Sequence, residues 1–294
     1  MQTRPHRPRR SVLYVPATNE KALAKISSLE CDSVVVDLED SVAPAQKQAA
    51  RQRLVEFFSQ HERGNREMVI RINALSGEWG ADDLMAARRC RPSAILLPKV
   101  ETARDVLEAN DALDEDDARP GLQLWAMVET PRAMLNIGAI AELGRDRSAR
   151  LSCLVAGTND LVKDTGVRMT PDRKWLVPWL MQVVLAARAG GLDALDGVSN
   201  DFSDLEAFAA ECAQGREMGF DGKKLIHPTQ IAPANAAFSP SQDEVRDALA
   251  IRAAFALPQN TASGVIQVDG KMVERLHLEQ AERLLAKAGH GAGA

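Results

Sequence analysis

The chain has 294 residues, of which 45% are hydrophobic and 26% are charged, and its formal net charge is -5. This composition is ordinary for a globular enzyme, and the length suits one large barrel or two smaller domains. The small negative charge argues against a nucleic-acid or anionic-membrane partner, and no apolar run approaches the about 20 residues of a membrane-spanning helix.

The N-terminal segment and the cysteines indicate the compartment. Residues 1–10 are rich in arginine but contain no apolar segment, so we interpret them as a flexible tail and expect no signal or transit peptide. The cysteines are scattered and form no Cys-x-x-Cys pair, which is typical of small buried residues in a reducing environment. They are Cys31, Cys90, Cys153 and Cys212. We therefore expect a cytoplasmic protein.

Apolar, β-branched segments alternate with helical patterns from residue 11 to residue 228. The predicted strands are Ser11–Val15, Ser33–Leu38, Met68–Ile72, Ala94–Leu97, Gln123–Val128, Leu151–Ala156, Ala194–Val198 and Lys223–Ile226. The predicted helices are Asn19–Leu29, Gln46–Phe58, Ala81–Ala87, Ala103–Leu113, Pro131–Leu143, Pro171–Ala189 and Leu205–Met218. Such alternation predicts an α/β protein whose parallel sheet is covered on both faces. Eight units favour a closed (β/α)8 TIM barrel over a doubly wound sheet.

The pattern changes after Pro228. Residues 243–255 have a helical pattern, residues 257–264 form a predicted loop, and the segment VDGKMVERLHLEQAERLLAKA predicts a short turn followed by a second helix. We therefore expect a barrel catalytic domain at 11–228, a C-terminal helical arm at 229–288 and a disordered tail at 289–294. The arm is expected to pack on the barrel or on a neighbouring subunit.

Two carboxylates, Glu129 and Asp160, follow the fifth and sixth predicted strands. In a TIM barrel, residues after the strands meet at one rim, which carries the active site. Two carboxylates beside open positions suit Mg²⁺, which keeps several waters and takes further ligands from the substrate. The alternative is that both residues only end strands or cap the next helix, because Thr130-Pro131 is typical of a helix start. Spacing alone leaves both interpretations open.

Arg71 lies inside an otherwise apolar strand, MVIRIN. A buried arginine is costly unless an anion pairs with it. The partner is either an anionic substrate or an internal carboxylate, Glu39 or Asp40, and the two roles are compatible.

Two further strand-end residues have alternative interpretations. Lys99 could form an imine with a carbonyl substrate, as in a Schiff-base aldolase, or could be a supporting charge beside Glu101. His227 could act as a base, although a His-Pro pair at a strand end is more often structural.

Nine ordered motifs resemble those of the citrate lyase β-subunit/malyl-CoA lyase group of the HpcH/HpaI aldolase superfamily. The resemblance extends from about Arg10 to Leu285, nearly the whole chain. The motifs are RSVLYVPATN, VVVDLEDSVAP, VIRIN, ILLPKVE, WAMVETPRAM, GTNDLV, LDGVSND, FDGKKLIHP and VDGKMVE.

The resemblance implies a (β/α)8 barrel with a C-terminal helical arm. It also implies Mg²⁺-dependent carbon–carbon bond chemistry on acyl-CoA thioesters and a homotrimer or higher oligomer. The metal-binding residues of the group fall on Glu129 and Asp160, and Glu129 is also expected to bind substrate. The substrate-contacting arginine falls on Arg71. The acidic pair of the second-strand motif falls on Glu39 and Asp40, of which Glu39 is the expected partner of Arg71.

The residues near the CoA chain in malyl-CoA lyases match Tyr14 and Lys25 here. Two positions depart from the group. Asn19 stands where another arginine is frequent. Glu274 stands where an aspartate of a neighbouring subunit serves as acid or base, and it is one methylene longer. Proton transfer depends on close placement, so this change bears on activity or on the preferred substrate.

These features predict a Mg²⁺-dependent lyase that cleaves a malyl-, citramalyl- or citryl-CoA type thioester to a keto acid and acetyl-CoA. Arg71, Glu39 and Glu274 are the expected catalytic residues. The alternatives are a non-catalytic acyl-CoA-binding subunit, a citrate lyase β-type subunit that works with an acyl-carrier protein, and a related thioesterase or synthase. The choice of keto acid depends on loops such as residues 164–171.

Overall fold

The structure is a computed structural model that describes residues 7–60, 66–114 and 121–289. It contains two compact units, Arg9–Phe238 and a second one formed chiefly by residues 239–289. Residues 1–6 of the predicted N-terminal tail, and the predicted C-terminal tail after Gly289, lie outside the described residues. The predicted domain boundary at residue 228 stays a prediction.

The first unit is a closed barrel of parallel strands in sequence order, and the predicted (β/α)8 fold is confirmed. The strands are β1 Ser11–Pro16, β2 Ser33–Asp37, β3 Glu67–Arg71, β4 Ala94–Leu97, β5 Gln123–Val128, β6 Leu151–Ala156, β7 Asp193–Asp196 and β8 Gly222–Leu225. They agree with the predicted strands apart from one or two residues at the ends.

Alternate residues of each strand form an inner and an outer apolar layer. Val12, Val35 and Val69 belong to the inner layer, whereas Val34 and Val36 pack outward against the helices. Because both faces are buried, the strands are near-continuous apolar runs rather than alternating ones. Residues paired across parallel strands point to the same face, so the strand register identifies which polar residues enter the barrel.

Helices cover the barrel and also form the second unit. They are α1 Glu20–Lys25, α2 Lys47–Gln60, α3 Gly80–Cys90, α4 Ala103–Asp114, α5 Pro131–Glu142, α6 Thr158–Thr165, α7 Val177–Gly190, α8 Leu205–Met218, α9 Ile231–Phe238, α10 Gln242–Ala256 and α11 Arg275–Lys287. Within the described ranges, no helix has both the length and the apolar character needed to cross a membrane.

The predicted helix Pro171–Ala189 is wrong at its start. Residues 171–176 form turns, in which Arg173 has a φ of 51°, and α7 begins only at Val177. In this conformation the Arg173 side chain donates to the buried Asp196 at the end of β7, at 2.8 and 2.9 Å. The short helix α6, which carries Asp160 in its first turn, was not predicted.

The N-terminal end of the barrel is closed by an ion cluster. Arg9, placed in the flexible tail by the sequence, is buried and bonds Glu67 at 2.7 Å and Asp193 at 2.5 Å. Its guanidinium also lies 4.8 Å from the centroid of the Trp125 ring. A guanidinium is well suited to this position because it forms ion pairs and stacks on an aromatic face.

The second unit contains α10, α11 and a hairpin between them. The hairpin strands are β9 Val265–Val268 and β10 Lys271–Glu274. Asp269 and Gly270 have φ values of 49° and 79°, the positive values that a two-residue hairpin turn requires. The turn predicted before the last helix is therefore part of a β-hairpin. Ala248 of α10 packs against Ala281 and Leu285 of α11.

Candidate active site

Glu129 directly follows β5 at the C-terminal end of the barrel and is only 1% exposed. Its Oε1 accepts a hydrogen bond of 2.7 Å from the backbone N–H of Lys99, which follows β4. Lys99 has a φ of 50°, a left-handed conformation that is unusual for a residue with a side chain. Such strained backbone persists where the surrounding structure requires it, often at functional sites.

Asp160 lies in the first turn of α6, after β6, with its side chain one-quarter exposed. Its charge acts on Glu129. The pKa of Glu129 is raised to about 7 by burial first, and then by the negative charges of Glu39 and Asp160. The negative charges of Glu39 and Asp160 thus disfavour ionisation of Glu129, and a cation bound beside Glu129 would offset this effect.

The donor set at this position fits Mg²⁺. Among the described residues, no group of three or more histidine, cysteine, aspartate or glutamate side chains is arranged to hold a metal ion. Mg²⁺ does not need such a cage, since it binds through one or two carboxylates and keeps waters or substrate oxygens as its other ligands. Among the described residues, Glu129 and Asp160 could hold it.

Arg71 occupies the end of β3 and is enclosed by carboxylates. Asp37 at the end of β2 accepts from its Nε and its Nη2, both at 2.7 Å. Glu39 lies 2.7 Å and Asp40 3.3 Å from Nη1. The predicted pairing with Glu39 or Asp40 is therefore present, and Asp37 is an additional, bidentate partner that the sequence interpretation missed. Burial would raise the pKa of Asp37, but the charge and hydrogen bonds of Arg71 more than offset this effect and lower it.

Glu39 connects Arg71 to Lys99. The Nζ of Lys99 lies 2.6 Å from Oε1 of Glu39. Burial raises the pKa of Glu39 although Arg71 and Lys99 oppose the shift. Burial lowers the pKa of Lys99, but the hydrogen bond and charge of Glu39 outweigh this effect and raise it. An amine held protonated is a poor nucleophile, which disfavours the Schiff-base interpretation.

Tyr14 on β1 lies inside the mouth of the barrel. Its ring centroid is 5.4 Å from the Arg71 guanidinium and 4.8 Å from the Nζ of Lys224. Its hydroxyl is buried without a hydrogen-bond partner among the described residues. Burial raises the pKa of Tyr14, so the hydroxyl stays neutral and able to donate. A buried hydroxyl of this kind is a site for a ligand oxygen or a water.

Lys25 and His227 lie outside this cluster, and Glu274 is described within its own unit. Lys25 is exposed at the end of α1. Glu274 belongs to the second unit, where its backbone N–H donates to Nδ1 of His277 at 2.9 Å. His227 caps the turn after β8, with Nδ1 2.8 Å from Oγ1 of Thr229, and its ring stacks on Phe202 at 4.6 Å. These contacts favour the structural interpretation of His227.

Lys224 is a charged residue of the cluster that the sequence interpretation missed. The register of β1 and β8 pairs it with Val12, which belongs to the inner layer. Burial first, and then the charge of Arg71, lower the pKa of Lys224 to about 8. Side chains alternate between the two faces of β8, and this alternation is the signal that could have placed Lys224 inside the barrel.

Comparisons with known proteins agree with this geometry. Residues 10–228 match the family described as HpcH/HpaI aldolase/citrate lyase. The chain is 47% identical over 281 residues to (3S)-malyl-CoA thioesterase of Cereibacter sphaeroides, covering 96% of this chain and 95% of that one. It is 33% identical over 291 residues to the mitochondrial citramalyl-CoA lyase of Homo sapiens, covering 96% and 86%.

A solved structure has the same architecture. The protein CitE from Mycobacterium tuberculosis, in complex with magnesium, acetoacetate and coenzyme A, matches with a TM-score of 0.76 and 31% identity. The match covers 96% of this chain and 98% of that one.

Proposed function

The chain belongs to the HpcH/HpaI aldolase/citrate lyase family, and from this premise we propose that it is a Mg²⁺-dependent carbon–carbon lyase. Its substrate is a CoA thioester with a β-hydroxyl group and an adjacent carboxylate, of the malyl-, citramalyl- or citryl-CoA type. The products are a keto acid and acetyl-CoA. The observation that supports this most strongly is the Glu129–Asp160 carboxylate pair, which lies at the same barrel mouth as the ion cluster of Arg71, Glu39 and Lys99.

Glu129 and Asp160 hold the metal in this proposal. When bound there, Mg²⁺ supplies Lewis acidity that acidifies the substrate hydroxyl and polarises the carbonyl that forms from it. Support comes from the oxygen donors of the site and from a related structure that contains magnesium and coenzyme A.

Arg71 binds the substrate and stabilises the negative charge that develops in the reaction. Asp37 and Glu39 fix its guanidinium before substrate arrives, which is the condition for efficient electrostatic stabilisation. A guanidinium has five N–H donors. The second N–H of Nη2 has no assigned acceptor among the described residues, so it remains for a substrate oxygen.

The reaction transfers one proton from oxygen to carbon. Loss of the hydroxyl proton turns the C–O bond into a carbonyl and breaks the adjacent C–C bond, whose electron pair passes to the thioester enolate. Glu274, from a neighbouring subunit of a homotrimer or higher oligomer, accepts the hydroxyl proton and then donates it to the enolate carbon, which completes acetyl-CoA. Tyr14 and Lys25 bind the CoA side of the substrate.

Thioester hydrolysis is a second candidate, since the relative with 47% identity is named a malyl-CoA thioesterase. A hydrolase would cleave the C–S bond and release a hydroxy acid and free CoA. In a variant of the lyase proposal, the substrate is a thioester of an acyl-carrier protein, as for a citrate lyase β-type subunit. A subunit that binds CoA thioesters without turnover is the non-catalytic alternative.

Product analysis separates these activities. The protein is incubated with malyl-, citramalyl- and citryl-CoA, and products are identified by mass spectrometry while free thiol is measured in parallel. Equimolar keto acid and acetyl-CoA, without free thiol, is the expected result. Free CoA with an intact hydroxy acid identifies a thioesterase, and no turnover on any substrate contradicts both proposals for CoA thioesters.

A further inference from the structure

Two adjacent lysines of β8 point to opposite faces of the strand. Lys223 points outward, and its Nζ donates to Asp196 at 2.8 Å, to Glu211 at 2.7 Å and to the Gly197 carbonyl at 2.7 Å. These contacts use all three ammonium hydrogens. Lys224, the next residue, points into the barrel beside Val12. Lys223 is therefore structural, and Lys224 needs a separate explanation.

Among the described cations of the barrel mouth, Lys224 makes the fewest hydrogen bonds and ion pairs. Arg71 is paired with Asp37 and Glu39, and Lys99 is paired with Glu39. Within the described ranges, no carboxylate lies within 4.0 Å of Lys224, although the negative charges of Glu129, Asp37 and Glu39 act on it from further away. The Nζ of Lys224 lies 4.8 Å from the centroid of the Tyr14 ring. The Lys224 ammonium therefore has N–H donors that no acceptor among the described residues uses.

A half-buried ammonium without an ion pair is unfavourable unless a ligand uses it. The position of Lys224 indicates which ligand group that is. In the proposed function, the substrate carboxylate and hydroxyl lie at Glu129 and Asp160, after β5 and β6. Lys224 lies on β8 next to β1, the strand that carries Tyr14 on the proposed CoA side. The thioester group joins these two parts of the substrate.

We propose that Lys224 is a catalytic residue whose ammonium donates a hydrogen bond to the thioester oxygen and stabilises the negative charge of the enolate. This inference rests on the proposed function. When the C–C bond breaks, its electron pair is delocalised onto that oxygen, and the ammonium keeps its proton and forms no covalent bond. Protonation of the enolate carbon returns the pair to carbon. Donors already aimed at a developing oxyanion typically change kcat by about 100-fold or more.

The test compares Lys224→Met and Lys224→Arg with the wild-type protein and with Lys287→Met, a control at an exposed lysine of α11. Lys224→Met is expected to lower kcat about 100-fold with a smaller change in KM, and Lys224→Arg to recover part of the loss. The melting temperature of Lys224→Met should not fall, whereas Lys223→Met, which leaves Asp196 without one of its cations, should melt lower. A kcat for Lys224→Met within twofold of wild type would overturn the proposal.

A binding measurement keeps the test independent of turnover. Lys224→Met should weaken the binding of acetyl-CoA about tenfold, because a charged hydrogen bond is lost. The dissociation constant of CoA, which has no thioester oxygen, should stay within about twofold of the wild-type value. Equal effects on both ligands, or borohydride trapping of substrate on Lys224, would contradict the assignment. If the wild-type protein turns over no thioester but shows this difference, the lyase proposal fails and the Lys224 contact stands.

Discussion

Gly157 lies directly against Glu129. A Cβ built at Gly157 would be 2.2 Å from the Cβ of Glu129 and 2.7 Å from its Oε2. Gly157 also donates its backbone N–H to the Val128 carbonyl at 2.9 Å, so the two strand ends are locked together. The position of Glu129 therefore depends on the absence of a side chain after β6.

Gly157→Ala is expected to displace the Glu129 carboxylate and to lower turnover by about 100-fold, because small misplacements of reacting groups have large effects on rate. Overpacking of this kind should also reduce the free energy of unfolding by about 1–3 kcal/mol. The matched control is Gly138→Ala in α5, where the added Cβ meets no atom within 4 Å. That substitution should keep activity and stabilise the protein by about 0.5–1 kcal/mol. Unchanged turnover and metal affinity in Gly157→Ala would contradict the assigned role of Glu129.

The Arg71–Asp37 ion pair should contribute to both stability and catalysis. Arg71→Ala leaves the buried Asp37 without its cation and leaves Glu39 paired with Lys99 alone, which should lower the free energy of unfolding by about 3–5 kcal/mol. Arg71→Lys should not restore turnover, because a lysine cannot bond Asp37 in the bidentate manner. The control is Arg104→Ala, which removes an exposed pair with Glu108 and should change stability by less than about 1 kcal/mol. Undiminished lyase turnover in Arg71→Ala would remove Arg71 from the catalytic residues.

Metal affinity should depend on pH through Glu129, whose pKa is about 7. A proton and Mg²⁺ compete for the same carboxylate. Well below pH 7 the dissociation constant should therefore rise about tenfold for each unit that the pH falls, and above about pH 8 it should level off. Titration calorimetry from pH 5.5 to 8.5 measures this. A dissociation constant that does not change over this range would show that Glu129 is not a ligand.

The stability of the metal-free protein should also depend on the protonation of Glu129. The folded pKa of Glu129 lies above its ordinary value of 4.5, so protonated Glu129 contributes stability that is lost as the pH rises through about 7. The contribution is at most about 3 kcal/mol. Glu129→Gln should remove this part of the pH dependence, as measured by urea unfolding in EDTA. A Glu129→Gln profile parallel to wild type between pH 4.5 and 7 would contradict the raised pKa.

Glu274 should affect the chemical step only. We expect Glu274→Gln to lower kcat by about 100-fold through the loss of a proton donor, while Mg²⁺ affinity and melting temperature stay unchanged. Glu282→Gln, at an exposed glutamate of α11, is the control and should behave as wild type. Glu274→Asp tests whether the longer side chain sets the substrate preference. Full activity of Glu274→Gln would exclude the arm from the reaction.

The barrel could be predicted because its strands are buried on both faces, so each one is a distinct apolar run in the sequence. The polar residues at or after the ends of those runs, Arg71 and Glu129 among them, could be placed at one rim by the topology alone. What could not be predicted depends on three-dimensional contacts. The left-handed backbone of Lys99, which directs an N–H toward Glu129, has no local sequence signal.

Other features that were not predicted do have a signal in the sequence. Asp37 lies two residues after the inward-facing Val35, so strand alternation places it inside the barrel beside Arg71. Asp269-Gly270 is a typical hairpin dipeptide, and it predicts the turn between β9 and β10. Helix α6 has only eight residues and is followed by turns, so the sequence pattern there was too short to predict a helix.

The most direct test of the account is the metal dependence of keto-acid release by wild-type protein and Glu129→Gln. Both are stripped with EDTA and titrated with Mg²⁺ on the thioester that the wild-type protein cleaves. The account predicts that the wild-type protein loses turnover without metal and regains it on titration. Glu129→Gln should stay at least about 100-fold slower at saturating Mg²⁺. Full turnover of the wild-type protein in EDTA, or full recovery of Glu129→Gln, would contradict a mechanism built on the Glu129–Asp160 pair.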